Sequence, residues 1–200
     1  MVPDKPIVYF ISEGRADEKN FPTIKVDLAA KARNAAECGV NYFQVREKRL
    51  SAARLYELTS AIVDAARPSG VNVLVNGRAD VALAAGASGV HLPADGLPAA
   101  ELRRCAPAGF VIGVSTHSLA EAVAAKAGGA DLVTFGPVFP TPGKGPAVGL
   151  EALAELCEEC APMPVLALGG VDGSRVDEIL NSGAAGYAAI RYLNDFLARD

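Results

Sequence analysis

At 200 residues and 50% hydrophobic composition, the chain can bury one sizeable core and is short for two domains, so a single domain over residues 1–200 is expected. A formal charge of −4 with no basic stripe excludes a nucleic-acid face. No apolar run approaches membrane-span length and no secretory pattern opens the chain, which excludes a membrane role and leads us to expect a cytoplasmic location.

In chain order, short apolar runs rich in Val, Ile, Leu and Phe alternate with amphipathic segments. The predicted strands are Ile7–Ile11, Tyr42–Arg46, Asn72–Asn76, Gly89–Leu92, Phe110–Ser115, Leu132–Gly136, Pro164–Leu168 and Gly186–Ile190. They mostly lack polar alternation, as strands covered on both faces do. The predicted helices are Asp27–Cys38, Ser51–Ala66, Arg78–Ala85, Pro98–Cys105, Ser118–Gly128, Gly149–Cys160, Asp172–Ser182 and a short Tyr192–Arg199. Ser51, Ser118 and Asp172 read as N-caps. Gly39, Gly86, Gly129 and Gly183 each sit where a helix hands over to a strand, a position suited to a left-handed residue. Eight strands, each followed by a helix, specify an α/β fold of the (β/α)8 TIM-barrel type, with an open doubly wound sheet as the competing architecture. Two loops break the rhythm: Ser12–Thr23, and the Pro- and Gly-rich Phe139–Val148, which is expected to be mobile or to close over a ligand. Of the four cysteines, Cys157 and Cys160 form a C-x-x-C, but no second pair or suitably spaced His completes a metal site, so these read as helix thiols.

Four phrases fall at strand ends, on the face where a barrel of this kind binds ligands. Gln44, Arg46 and Lys48 alternate, so they share one side of a strand as it ends. Two like charges pointing inward need an anion or a paired acid, with a surface ion pair to Glu47 or Asp80 as the alternative. Asn76 offers an amide at the end of the third strand, Gly77 permits a sharp turn, and Arg78 reads equally well as a surface or a site residue. His117, just past Ser115 at the end of the fifth strand, could relay a proton near neutral pH, or serve only as a hydrogen-bonded loop residue. His91 reads as a buried structural histidine. Gly169 and Gly170 follow an apolar strand and can present bare N–H groups to a phosphate.

Taken together, QVREK at Gln44–Lys48, the stretch from Val75 through Pro98, GVSTHS, FGPVFPTPGK and LGGV resemble the thiamine phosphate synthase/TenI superfamily over nearly the whole chain, from about Tyr9 to Ile190. The resemblance implies a TIM barrel and a place in thiamine biosynthesis. It implies substrate contacts from Gln44, Arg46, Lys48, Asn76, Ser115, Thr141 and Lys144, and phosphate contacts from Gly169, Gly170, Ile190 and Arg191. The synthases of the family hold magnesium with two aspartates. Those positions are Gly77 and Gly96 here, and Asp95 could substitute for the second only after a local shift. The second threonine of the family's T-x-T-K loop is Gly143, and the serine after the eighth strand is Arg191. Asn-Gly-Arg, Leu-Pro and Thr-His-Ser resemble the TenI branch, whose members aromatise a thiazole carboxylate phosphate without metal. The expectation is therefore a thiazole tautomerase with His117 as its catalytic group, no metal and no cofactor, and a phosphorylated thiazole as its partner. A synthase coupling hydroxymethylpyrimidine diphosphate to thiazole phosphate, with Mg²⁺, is the alternative, and a non-catalytic phosphate-ligand regulator a third. A homo-oligomer is left open.

Overall fold

The computed structural model describes residues 5–197. Eight parallel strands, β1 (Ile7–Ile11), β2 (Tyr42–Val45), β3 (Asn72–Asn76), β4 (Gly89–Leu92), β5 (Val111–Thr116), β6 (Leu132–Phe135), β7 (Val165–Leu168) and β8 (Gly186–Ala189), pair in sequence order and close into a barrel. Closure joins β1 to β8, with Tyr9 opposite Ala188. Asn194 reinforces that seam: its buried amide donates to Ile11 O at 2.9 Å and to Ile190 O at 2.7 Å.

The helices are α1 (Phe21–Asn34), α2 (Ala52–Ala66), α3 (Ala79–Ala84), α4 (Ala99–Arg103), α5 (Leu119–Ala127), α6 (Gly149–Cys160), α7 (Val176–Asn181) and α8 (Arg191–Phe196). Ser51, Ser118 and Asp172 each accept a backbone N–H as caps, and the four repeat glycines all have positive φ. Three boundaries within the described residues differ from the sequence reading by more than two residues. The first helix starts at Phe21, inside the expected loop, because Pro22 fits the first turn, where its missing N–H costs nothing. It stops at Asn34, and turns rather than helix carry the chain to Gly39. The seventh helix opens as a 3-10 turn over Gly173–Arg175 before becoming α-helical. Of the expected last helix, Arg199 lies outside the described residues. None of the helices is long and apolar enough to cross a membrane, among the described residues.

Strand alternation sorts the core into two bodies. Outward residues such as Phe10, Phe43, Val90 and Ile112 pack against helix residues such as Leu58, Ile62 and Leu153. Inward residues Tyr9, Ile11, Leu74, Leu132, Leu166 and Ala188 fill the barrel. Leu58 has no solvent exposure, so truncation to Ala there would cost about 2–5 kcal/mol. Above this plug, toward the C-terminal ends of the strands, inward positions turn polar: Gln44, Asn76, His91, Ser115 and Thr134. Gln44, His91 and Thr134 are almost wholly buried. The fold thus changes from oil to hydrogen bonds within one layer of side chains.

Candidate active site

That polar layer floors a cavity of about 500 Å³ at the C-terminal mouth. β2 and its extension bring Gln44, Arg46 and Lys48 to its wall, β3 brings Asn76, and β5 and the turn after it bring Ser115 and His117. Thr141 and Lys144 reach it from the loop after β6, Gly169 from the turn after β7, and Ile190 from the end of β8. Gly170 and Arg191 of the expected phosphate set are not among its lining residues. Arg191 is exposed at the start of α8, and the Gly170 carbonyl accepts from Arg175 Nη1.

The cations are not spent on ion pairs. Among the described residues, no carboxylate lies within ion-pair distance of Arg46, Lys48 or Lys144. The two acids that could have neutralised them are engaged elsewhere. Glu47 is buried and accepts from Gly14 N at 3.0 Å and Ala16 N at 2.7 Å, clamping the loop after β1. Asp80 accepts from Arg78 Nε at 2.8 Å and Nη2 at 2.6 Å, and the guanidinium holds its carboxyl below the usual range. Arg78 is thereby a paired residue. It borders a smaller hollow of about 250 Å³ beside Lys48 and Asn76 rather than the main cavity.

Backbone groups complete the rim. Among the described residues, the N–H groups of Gly169 and Gly170 meet no protein acceptor, while Gly169 O and Leu168 O accept from Phe139 N at 3.1 Å and Val138 N at 2.9 Å. The loop Phe139–Val148 is thus tied to the β7 turn at one end, and at the other by Val148 N to Pro137 O at 2.8 Å. Arg175 lies over the Phe139 ring, 4.5 Å from its centroid, and binds the two loops together. A Cβ on Gly169 would come within 2.6 Å of Pro137, so only glycine allows this approach. His117 Nδ1 donates to Gly136 O at 2.6 Å, and its backbone N–H donates to Glu121 Oε2 at 2.6 Å. In the neutral ring Nε2 then carries the lone pair.

The metal positions implied by the family do not fit a divalent ion here. Asp95 is the one carboxylate lining the cavity among the described residues, and no group of three or more His, Cys, Asp or Glu there could hold a metal. Gly77 has φ +66° and Gly96 turns tightly on Pro93, where an added Cβ would lie 2.9 Å from Pro93 Cδ and 3.0 Å from its carbonyl oxygen. Mg²⁺ prefers an octahedron of oxygens that includes carboxylates, and this rim is shaped by a proline ring instead. The C-x-x-C lies on α6, where burial pushes the Cys157 thiol up to about 11 and also raises Cys160. That disfavours the thiolate that metal or redox chemistry needs.

Sequence reading undervalued two residues, Tyr9 and His91. Tyr9 Oη receives Gln44 Nε2 at 3.0 Å and lies 3.1 Å from His91 Nδ1, while His91 Nε2 lies 2.9 Å from Ser115 Oγ and 3.4 Å from Thr134 Oγ1. Burial keeps the ring neutral, with its pKa lowered to about 3. The available signal was a tyrosine at an inward position of an otherwise apolar first strand.

The fold and mouth define a (β/α)8 barrel whose cavity gathers basic side chains and free backbone amides, a setting suited to a small phosphate-bearing anion. The thiamine monophosphate synthase family model matches residues 8–193, and the chain belongs to that family. It is 47% identical over 167 residues to the putative thiamine-phosphate synthase of Geobacter sulfurreducens, covering 82% of this chain and 78% of the relative. It is 44% identical over 162 residues to the thiamine-phosphate synthase of Methanoculleus marisnigri, covering 80% and 76%. The solved thiamine phosphate pyrophosphorylase from Pyrococcus furiosus matches with a TM-score of 0.79 at 28% identity, over 96% of this chain and 91% of that one. These likenesses overturn the expectation of a thiazole tautomerase: the relatives carry the synthase name.

Proposed function

We propose that the chain is a thiamine-phosphate synthase that joins hydroxymethylpyrimidine diphosphate to thiazole phosphate. The observation that carries this reading is the set of three cations, Arg46, Lys48 and Lys144, around one cavity whose lining holds a single carboxylate, Asp95, and none of them in an ion pair among the described residues. Such a set suits a diphosphate leaving group better than a single carboxylate. In the reaction the thiazole nitrogen forms a bond to the pyrimidine's methylene carbon, the carbon–oxygen bond to diphosphate breaks, and the electron pair leaves with the diphosphate. No proton moves at the reacting atoms, so His117 has no relay to perform. It serves as a wall whose Nδ1 bond to Gly136 O fixes the turn after β6. Positive groups placed where charge develops stabilise the transition state more than the ground state. With one carboxylate on the rim, that task falls to Arg46, Lys48 and Lys144, and no protein-anchored cofactor is proposed. The N–H of Gly169, on the cavity wall at the turn after β7, suits the thiazole's phosphate. The unpaired thiols fit a reducing cytoplasm.

The test is to supply both substrates, with Mg²⁺ and separately with EDTA, and to measure thiamine phosphate. Product above background supports the reading, and a Lys144→Ala variant should lose at least tenfold in kcat/KM. Background product in both buffers refutes it.

A further inference from the structure

We propose that His91 is a positioning residue: it accepts the Tyr9 hydroxyl hydrogen at Nδ1 and donates from Nε2 to Ser115 Oγ, which commits the Ser115 hydroxyl to donate into the cavity to an acceptor atom of the ligand. This deepens the synthase reading and rests on it for the ligand, though not for the hydrogen-bond direction.

The direction follows from counting donors. Tyr9 is fully buried, and its oxygen receives Gln44 Nε2 at 3.0 Å. An amide nitrogen can only donate, so the single tyrosine hydrogen must go elsewhere. His91 Nδ1, at 3.1 Å, is its acceptor. Were Nδ1 protonated, Tyr9 oxygen would face two donors and strand its own hydrogen away from water. Nδ1 therefore holds the lone pair, and in the neutral ring the hydrogen sits on Nε2, 2.9 Å from Ser115 Oγ. Ser115 has then accepted a bond and retains one hydrogen to give. The Gln44 amide fits this orientation. Its carbonyl end makes no hydrogen bond among the described residues and belongs to a side chain that lines the same cavity as Arg46 and Lys48, so turning the amide over would offer an NH2 to a site that already gathers cations.

The surroundings are built to hold the ring. Gly113, opposite His91 in the β4–β5 register, leaves space that a Cβ would remove, since it would lie 2.7 Å from Nδ1. Tyr9 and His91 meet edge-on, with ring centroids 5.5 Å apart. Among the described residues, the ring's side-chain hydrogen-bond partners are the uncharged Tyr9, Ser115 and Thr134. The chain Gln44 to Tyr9 to His91 to Ser115 is a one-way wire that starts and ends on residues lining the cavity, passing through Tyr9 beneath it and His91 in its floor. It makes this end of the site select a lone pair, either a ring nitrogen or an anionic oxygen, and reject an N–H donor.

The imidazole nitrogens of ¹⁵N-histidine-labelled protein report the direction without turnover. Expected is a His91 spectrum with pyrrole-like Nε2 and pyridine-like Nδ1, unchanged from pH 5 to 8. A pyrrole-like Nδ1 or an imidazolium overturns the proposal. Tyr9→Phe keeps the ring's shape and removes the fixed donor, so the Nδ1 resonance should shift while the fold is retained; no shift overturns it. The ligand side is read with two probes, inorganic diphosphate and the hydroxymethylpyrimidine alcohol. Ser115→Ala should weaken one of them at least fivefold, the diphosphate if the acceptor is an anionic oxygen and the pyrimidine if it is a ring nitrogen. Wild-type affinity for both overturns the acceptor assignment. If the unaltered protein binds neither probe, the synthase reading and the acceptor assignment fall together, while the spectrum still decides the direction of the wire.

Discussion

Replacing Gly113 by alanine separates packing from backbone effects, because the two predict opposite signs. Gly113 is buried in β5 at a backbone conformation open to any residue, so without a steric conflict Gly→Ala would stabilise the fold by about 0.4–1 kcal/mol through the unfolded chain. Here the new Cβ would sit 2.7 Å from His91 Nδ1 and 3.1 Å from Leu132 Cδ1. Neither neighbour is the free end of a surface side chain: His91 is 2% exposed and Leu132 1%. Overpacking of this kind costs about 1–3 kcal/mol. Displacing the ring also strains the Tyr9 and Ser115 bonds, and a stranded buried polar group adds about 1–3 kcal/mol. The net expectation is a loss of about 2–4 kcal/mol, or roughly 5–15 °C in Tm for a domain of this size. Urea unfolding followed by circular dichroism measures it. The double variant Gly113→Ala/His91→Ala supplies the control: with the ring gone, the methyl has room, and the pair should be less destabilised than the sum of the singles by more than about 1 kcal/mol. A Gly113→Ala protein as stable as the parent, or more so, would refute both the contact and the packed setting of the ring.

Three further expectations follow from other contacts. His91 is held neutral by burial with a pKa of about 3, against about 6.5 in an unfolded chain. Between those values the unfolded state binds a proton that the folded state refuses, so this residue's contribution is complete above about pH 6.5 and declines as the pH falls toward 3, by up to about 1.4 kcal/mol per pH unit. Urea midpoints at pH 7, 5 and 4 for the parent and His91→Gln should diverge accordingly, and parallel curves would remove the buried neutral ring. Glu47→Gln preserves shape but loses the charge-assisted bonds from Gly14 and Ala16, for a cost of about 2 kcal/mol in urea unfolding; less than a few tenths would show that the clamp is idle. Gly169→Ala drives a Cβ against Pro137 at φ +95°, and should weaken inorganic phosphate binding at least tenfold in calorimetry; unchanged affinity would place the phosphate elsewhere.

The barrel was legible because each strand is a short apolar run covered on both sides, so its boundaries coincide with the change from apolar to polar residues. β1, β3 and β4 match the sequence reading at both ends. Helix starts were legible where a side chain caps them, as at Ser51 and Ser118. The start of α1 was missed because a proline usually read as a breaker sits in its first turn. At the mouth, period-two alternation identified Gln44, Arg46 and Lys48, and strand ends identified Asn76, Ser115 and His117. Gly170 was read from the Gly-Gly pair after the seventh strand and Arg191 carried over from the family resemblance, and neither signal fixes which way a group faces. The Tyr9–His91 pair, 82 residues apart, exists only once barrel closure brings β1 and β4 into the same interior layer. The choice of reaction was misread because the missing aspartates were weighed above the intact basic set.

The proline ring at position 93 also bears on what substitutions the rim can accept, and in what order. Aspartate at 96 would need the ring to give way, its Cβ lying 2.9 Å from Pro93 Cδ, whereas at 77 the added Cβ meets it at an ordinary 3.6 Å and must only tolerate a left-handed backbone, which Asp does better than most residues. An acid at 77 therefore asks only for a backbone conformation, while one at 96 also asks the 93–96 turn to open by a few tenths of an ångström, since both the ring and the carbonyl of Pro93 stand in its way. The two positions are unequal, and a designer adding acids to this edge meets the lower barrier at 77.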